Sequence, residues 1–245
     1  MGGWDVTASP GVTAREGMNK LTPVTNWRGY CSKYNYAVGT TDGGENAVTG
    51  YIFEKMNASD KKDVNDRGNS KGLNTLLYDF KAYKANFILG DYFVALGAGV
   101  TNMKPDMEGH IHTTIDQTAH VGVVTMLEKG KEKPLQEGRQ SLITFEGQPV
   151  WVMQKGKFAY RVLPEFTRKA FVLTETCPTN WIKRNRGNAK KGNLPQTVDV
   201  LRLWVDHGQV PVNDTYGYVV YTGKGQPADT LPFQVLRNDT LVQAV

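Results

Sequence analysis

Proton-moving residue types crowd into one late stretch, LWVDHGQVPVNDTYGYVVY, from Leu203 to Tyr221. His207 sits between Asp206 and Gly208, with Tyr216, Tyr218 and Tyr221 close behind, and such groups serve as general acids and bases. A second stretch, GHIHTTIDQTAH, holds His110, His112, Asp116 and His120. On a strand, His110 and His112 share one face and Asp116 can join them. A metal site needs three or four converging ligands, each oriented by its own hydrogen bonds. A histidine pair in a threonine-rich run reads more simply as a partly exposed strand edge, so no metal and no other cofactor is expected. A third stretch, WIKRNRGNAKKGN, carries Lys183, Arg184, Arg186, Lys190 and Lys191 with no acid among them. Trp181, Lys183, Arg184 and Arg186 are the substrate-binding candidates. Their cations can hold sulfates or carboxylates by charge-assisted hydrogen bonds while the indole stacks on a sugar ring. The alternative is a solvated loop whose charges serve only solubility.

Other candidate chemistry is weaker. GTTDGGENAVTG lacks the Gly-Lys-Ser/Thr ending of a phosphate loop and no helical pattern follows it, so it reads as a turn between two strands. No serine or cysteine sits in a nucleophile elbow, and Glu45, Glu54, Glu146 and Glu165 are scattered without pairing. A net charge of +5 fits a polyanionic partner, but no nucleic-acid-binding module is present and no apolar run is long enough to cross a membrane. Neither nucleic acid nor membrane is expected as a partner.

The elements that must position these residues are strands. In 245 residues no run keeps apolar residues at i, i+3, i+4 and i+7 over three turns. Instead NAVTGYIFEKM, LLYDFKAY, HVGVVTMLE, PVWVMQKG, FAYRVL and KAFVLTE recur between Gly, Pro, Asn and Asp, rich in β-branched and aromatic residues. KANFILGDYFVALGAG predicts a hairpin with Gly90-Asp91 as a glycine-first two-residue turn. FEGQPV predicts a second, joining SLITF to VWVMQ. The pattern is that of an all-β sandwich or barrel in a single domain, with the polar run Asn57 to Gly72 as a long surface loop. Cys31 and Cys177 give neither a disulfide framework nor a metal spacing, and MGGWDVTASPGVTAREG has none of the features of a signal peptide.

Several stretches, in order along nearly the whole chain, resemble the polysaccharide lyase family 8 enzymes, which are hyaluronate, chondroitin and xanthan lyases. GWDVTASPGVTAREG is similar to their Trp-containing segment, and YAVGTTDGGENAVTGYIFEKM to their glycine-rich turn and following strand. YKANFILGDYFVALGAGVTN resembles their strand, acidic turn and Leu-Gly-x-Gly run, and HTTIDQ their threonine-rich strand. WVDHGQVPVNDTYGYVVY and VLRNDTLVQAV resemble their His-Gly, Tyr-x-Tyr and Gln-Ala-Val stretches.

The resemblance implies the family's central super-sandwich domain, a galactose-mutarotase-like stack of large antiparallel sheets. It implies β-elimination at a uronic acid as the activity of the whole lyase, with an acidic polysaccharide, such as the glycosaminoglycans chondroitin or hyaluronan, as substrate. It places the catalytic Tyr, His, Asn and Arg on a helical toroid of the same lyase, so no catalytic residue is expected on this chain. GGEN, Gly43 to Asn46, matches the later sandwich turn and inherits no catalytic role. The expected unit is residues 1–245 as a single sandwich, a fragment without the toroid or the final small β-domain, in an extracellular or periplasmic protein. Two other readings stand beside it: a free-standing carbohydrate-binding or structural module, and a sandwich with its own lyase site built on His207 or His112 and a nearby tyrosine. His207 itself is expected to be a turn residue hydrogen-bonded to backbone.

Overall fold

The computed structural model describes residues 3–5, 7–16, 34, 36–54, 80–136, 138, 141–142, 150–179 and 196–245. Among them there is no helix, and every pairing between strands is antiparallel. A nine-stranded sheet runs in the order β2 (Ala37–Thr41), β3 (Asn46–Glu54), β4 (Phe80–Leu89), β5 (Tyr92–Asn102), β14 (Asp214–Tyr221), β11 (Ala159–Val162), β10 (Val150–Gln154), β7 (Val124–Glu128) and β8 (Lys131–Pro134). A five-stranded sheet runs β1 (Thr13–Arg15), β6 (Ile111–Ala119), β13 (Thr197–Asp206), β12 (Ala170–Pro178) and β9 (Ser141–Leu142). A small pair, β15 (Arg237–Asn238) and β16 (Gln243–Ala244), follows near the end.

The all-β expectation holds because period-2 patterns bury both faces of the central strands of the larger sheet, while its edge strands β2 and β8 are exposed. Tyr216, Tyr218, Ala95 and Val100 face Ile111, Val172, Leu201 and Leu203 of the smaller sheet, forming the core between the two. The opposite face of the larger sheet carries Val94, Leu96, Trp151 and Val219, covered by Leu163, Phe166, Leu231 and Phe233. YGYVVY therefore alternates, with Tyr216 and Tyr218 on one face and Val219 on the other, and it reads as apolar because both faces are dry.

Gly90 adopts φ 55°, a conformation that favours glycine, and Leu89 pairs with Tyr92, so the predicted Gly90-Asp91 hairpin is present. Asp42 to Glu45 turns β2 into β3, as expected for the glycine-rich stretch, with the Asp42 carboxylate accepting from the Gly44 and Asn46 amides. The hairpin expected at FEGQPV is not formed. Leu142 pairs with Phe171 of β12 in the smaller sheet, whereas β10 lies between β7 and β11 in the larger one. Val150, Trp151 and Val152 are all buried, and a run buried on both faces belongs inside the larger sheet, not in a solvent-facing hairpin. Residues 57–72, Cys31 and residues 143–149 lie outside the described residues; Cys177 is a half-buried free thiol.

One close approach fixes a residue type. A Cβ placed on Gly97 would lie 1.9 Å from the ring of Tyr216, which is fully buried and stacked on Tyr218. Asn238 closes the same spot by donating to the carbonyls of Gly97 and Tyr216. Gly97→Ala is expected to lower stability by at least ~2 kcal/mol in a denaturant titration, because the ring has nowhere to move. A loss under ~0.5 kcal/mol would show that this contact is not tight.

Candidate functional site

The outer face of the five-stranded sheet carries an open trough of about 800 Å³. On β13 the sequence R-L-W-V-D sends Leu203 and Val205 into the core and leaves Arg202, Trp204 and Asp206 facing out. On β6, His112 and Thr114 face the same trough. A bulge then inserts Ile115, because Trp204 pairs with Thr114 but Leu203 pairs with Asp116. That extra residue turns the alternation over, so Asp116 points between the sheets and cannot join His110 and His112 as the spacing had implied. β6 is also not an edge strand, since β1 pairs along its first residues.

The group that takes the place of Asp116 is Asp206. His110 Nδ1 lies 2.9 Å from Asp206 Oδ1, and His112 Nε2 lies 3.7 Å from the same oxygen and 3.8 Å from Glu16 Oε2. The Gly208 amide donates to Asp206 Oδ1 at 2.8 Å and holds the carboxylate in place. Burial lowers the pKa of the His112 imidazole, with Asp206 and Glu16 opposing, which favours its neutral form. His112, Trp204 and Phe171 form an aromatic ledge, with ring centroids 5.8 Å and 5.6 Å apart. Arg202 beside it is paired with Glu175 and Asp5. Arg15 is buried beneath the rim and donates to the Met107 and Gly109 carbonyls and to Asn102 Oδ1, so it anchors the loop bearing His110.

A second cavity, about 600 Å³, opens between the sheets under Pro10 to Val12. Here Tyr160 donates to the Asp116 carboxylate that the bulge turned inward. Burial raises the Asp116 carboxyl, and it raises the hydroxyls of Tyr160 and Tyr218 above the ordinary tyrosine value. A tyrosine shifted that way is a poor base near neutral pH. Lys84 is nearly fully buried between the rings of Tyr51 and Tyr216 and donates to the Gly11 carbonyl at 2.8 Å. Its pKa is pushed down by burial to about 7. Since the unfolded chain binds this proton more tightly, the cost of burying Lys84 is full below pH 7 and fades as pH rises. Stability relative to Lys84→Met should therefore climb from about pH 7 to about pH 10, by up to about 1.4 kcal/mol per pH unit. A difference that stays flat across that range would contradict the burial of the ammonium.

His207 has no exposed side-chain surface. Its Nδ1 meets Asp214 at 2.7 Å, its Nε2 meets the Thr113 hydroxyl at 2.9 Å, and its ring packs 5.9 Å from that of Tyr216. Although burial raises the Asp214 carboxyl, the hydrogen bond and charge of His207 carry it below its ordinary value. The expectation of a turn residue held by backbone needs correcting. The backbone amide does donate to Ile111 O at 2.9 Å, but the imidazole is gripped by two side chains. With both nitrogens engaged and no surface, His207 cannot take a substrate proton. His112 is reachable, but no described tyrosine lines its trough. A self-contained His–Tyr lyase site is thus not assembled among the described residues. His207→Ala should cost about 2–4 kcal/mol, because it leaves a cavity and strips Thr113 and Asp214 of a partner. Equilibrium unfolding measures it, and an unchanged midpoint would contradict the packing.

Trp181, Lys183, Arg184 and Arg186 lie outside the described residues. The strands that flank them, β12 and β13, stay paired up to Pro178 and Thr197. Arg202, Trp204 and Asp206 were missed by the sequence reading, although the period-2 alternation of RLWVD carries their signal, whereas the Asp116–Tyr160 and Lys84–Gly11 contacts join distant segments and left no local signal.

Fold and sites together define a large antiparallel double-sheet sandwich with an aromatic and charged outer face. Residues 1–230 match the polysaccharide lyase family 8 super-sandwich domain, and the chain belongs to that family. It is 27% identical over 249 residues to Chondroitinase-AC of Pedobacter heparinus, covering 99% of this chain and 30% of that protein. Among solved structures, a chondroitinase AC lyase studied with oligosaccharides superposes with a TM-score of 0.74 at 23% identity, over 98% of this chain and 31% of that one. A Paenibacillus xanthan lyase gives 0.69 at 23% identity, over 96% of this chain and 20% of that one. A Streptomyces coelicolor A3 chondroitin AC lyase in complex with chondroitin sulphate gives 0.63 at 23% identity, over 96% and 26%. The chain spans under a third of the length of these relatives.

Proposed function

We propose that the chain is the central sandwich of a lyase that cleaves uronic-acid-containing polysaccharides by β-elimination, with glycosaminoglycans such as chondroitin or hyaluronan as the substrate class. The observation that carries this reading is the match of residues 1–230 to the super-sandwich domain of a lyase family. β-Elimination needs a base to remove the C5 proton and hydrogen-bond donors to neutralise the uronate carboxylate, so that the glycosidic oxygen leaves as the double bond forms. Burial raises the pKa of Tyr160 and Tyr218 in the inter-sheet cavity and keeps their hydroxyls protonated near neutral pH, and His207 is sealed. We therefore assign the chemistry to a helical catalytic domain of the same lyase, with this sandwich supporting it and forming one wall of the cleft. The enzyme would work outside the cytoplasm, in the extracellular space or the periplasm, where such polysaccharides are met.

Within that reading, Trp181, Lys183, Arg184 and Arg186 contact uronate or sulfate groups of the substrate. Reversing both Arg184 and Arg186 to Glu is expected to weaken binding of chondroitin sulfate about 10-fold at low ionic strength, and by less as salt screens the charges. Isothermal titration at two salt concentrations measures this. An affinity unchanged by the double reversal would remove the basic segment from the binding surface.

A further inference from the structure

We propose that His110, His112 and Asp206 form a binding site for a divalent ion of the zinc class, closed by Glu16. Among the described residues this is the group of histidines, cysteines and carboxylates whose ligand atoms converge, all within 4.8 Å of one another. Zinc bound tetrahedrally at about 2.1 Å from each ligand spaces those ligands about 3.4 Å apart. The separations of 2.9 Å from His110 Nδ1 to Asp206 Oδ1 and 3.7 Å from His112 Nε2 to the same oxygen bracket that value. With all three ligand atoms within 4.8 Å of one another, closing that bound to about 3.4 Å takes side-chain rotation of up to about 1.4 Å and no backbone movement.

The donors come from well-held backbone. His112 lies on β6, clamped between β1 and β13, and Asp206 ends β13 and pairs with His112 in register. His110 precedes β6 on the loop that Arg15 anchors, and its carbonyl accepts from the Glu16 amide. The Gly208 amide fixes the Asp206 carboxylate, the kind of support that orients a metal ligand. Glu16 Oε2 stands 3.8 Å from His112 Nε2 on a half-exposed side chain, free to swing onto the ion as a fourth ligand. Two imidazoles with one or two carboxylates select zinc, cobalt, nickel or copper, and the small all-nitrogen-and-oxygen set is a poor cage for calcium. An ion held here would tie β1, β6 and β13 together at the end of the trough. It would also present a cation beside the aromatic ledge of Trp204 and Phe171.

The test uses the full chain, stripped with a chelator and titrated calorimetrically with zinc chloride. One ion per chain is expected, with a dissociation constant in the micromolar range or tighter. His112→Gln and Asp206→Asn should each weaken binding at least ~10-fold, and Glu16→Gln less. His120→Gln, at the far end of β6, should leave binding unchanged. Cobalt should quench tryptophan fluorescence in the parent chain, and most of that quenching should vanish in Trp204→Phe, whose ring sits 5.8 Å from His112. Circular dichroism of each variant separates loss of a ligand from loss of the fold. Absence of stoichiometric zinc binding, or binding unaltered by a folded His112→Gln chain, would overturn the site. Neither result depends on polysaccharide, so the metal site can fail while the lyase reading stands.

Discussion

The two sheets are joined where β13 crosses into β14, and the chain makes that passage around one imidazole. His207 grips Thr113 of the smaller sheet through Nε2 and Asp214 of the larger through Nδ1, while its ring lies against Tyr216. The crossover sets the height at which β14 enters the nine-stranded sheet, and so where Tyr216 and Tyr218 meet the opposing core. Gly97 makes room for Tyr216, and Asn238 seals the carbonyls beside it. A histidine that looks catalytic in the sequence is consumed by this join. Removing water from both sides of it is what makes the hydrogen bonds worth keeping and leaves them unable to turn over a substrate.

A single extra residue then divides the polar chemistry of the smaller sheet. Before the Ile115 bulge, β6 presents His112 and Thr114 outward; after it, Asp116 points inward and Gln117 outward, where it holds the Asp5 and Ala8 carbonyls. One strand thus serves two unlike places. The outer trough pairs imidazoles with Asp206 beside an aromatic ledge, and the inner cavity pairs Asp116 with Tyr160 above Lys84. Wherever the inner groups are titratable, burial dominates their shifts, raising Asp116 and the tyrosines and lowering Lys84.

The strands and the Gly90-Asp91 hairpin were legible because period 2 and turn chemistry are local signals, visible in runs such as NFILGDYFVAL. The outer face of β13 carries the same period-2 signal in RLWVD, but it went unread because the strand looked simply apolar. The sheet partners were not, and FEGQPV shows why: a short turn between two strand-like runs looks like a hairpin until burial on both faces sends the runs to different sheets. The alliance of His110 and His112 with Asp206 instead of Asp116 was hidden by the bulge, which no composition rule announces. The pairing of His207 with Thr113 and Asp214 was half legible, since Asp214 is near in sequence but Thr113 is 94 residues away.

Chemically, the described part of the chain offers surfaces and supports: an aromatic and charged trough, a sealed histidine and tyrosines that hold their protons. Its membership of polysaccharide lyase family 8 by way of the super-sandwich domain fits that division of labour. The measurement that bears on it most directly is the ultraviolet absorbance of the unsaturated uronide formed when the purified chain alone is incubated with chondroitin, hyaluronan or heparan. No absorbance should develop with any of them while the chain remains folded. A steady rise with chondroitin, abolished by His112→Gln, would contradict the reading and place a working lyase site on the sandwich itself.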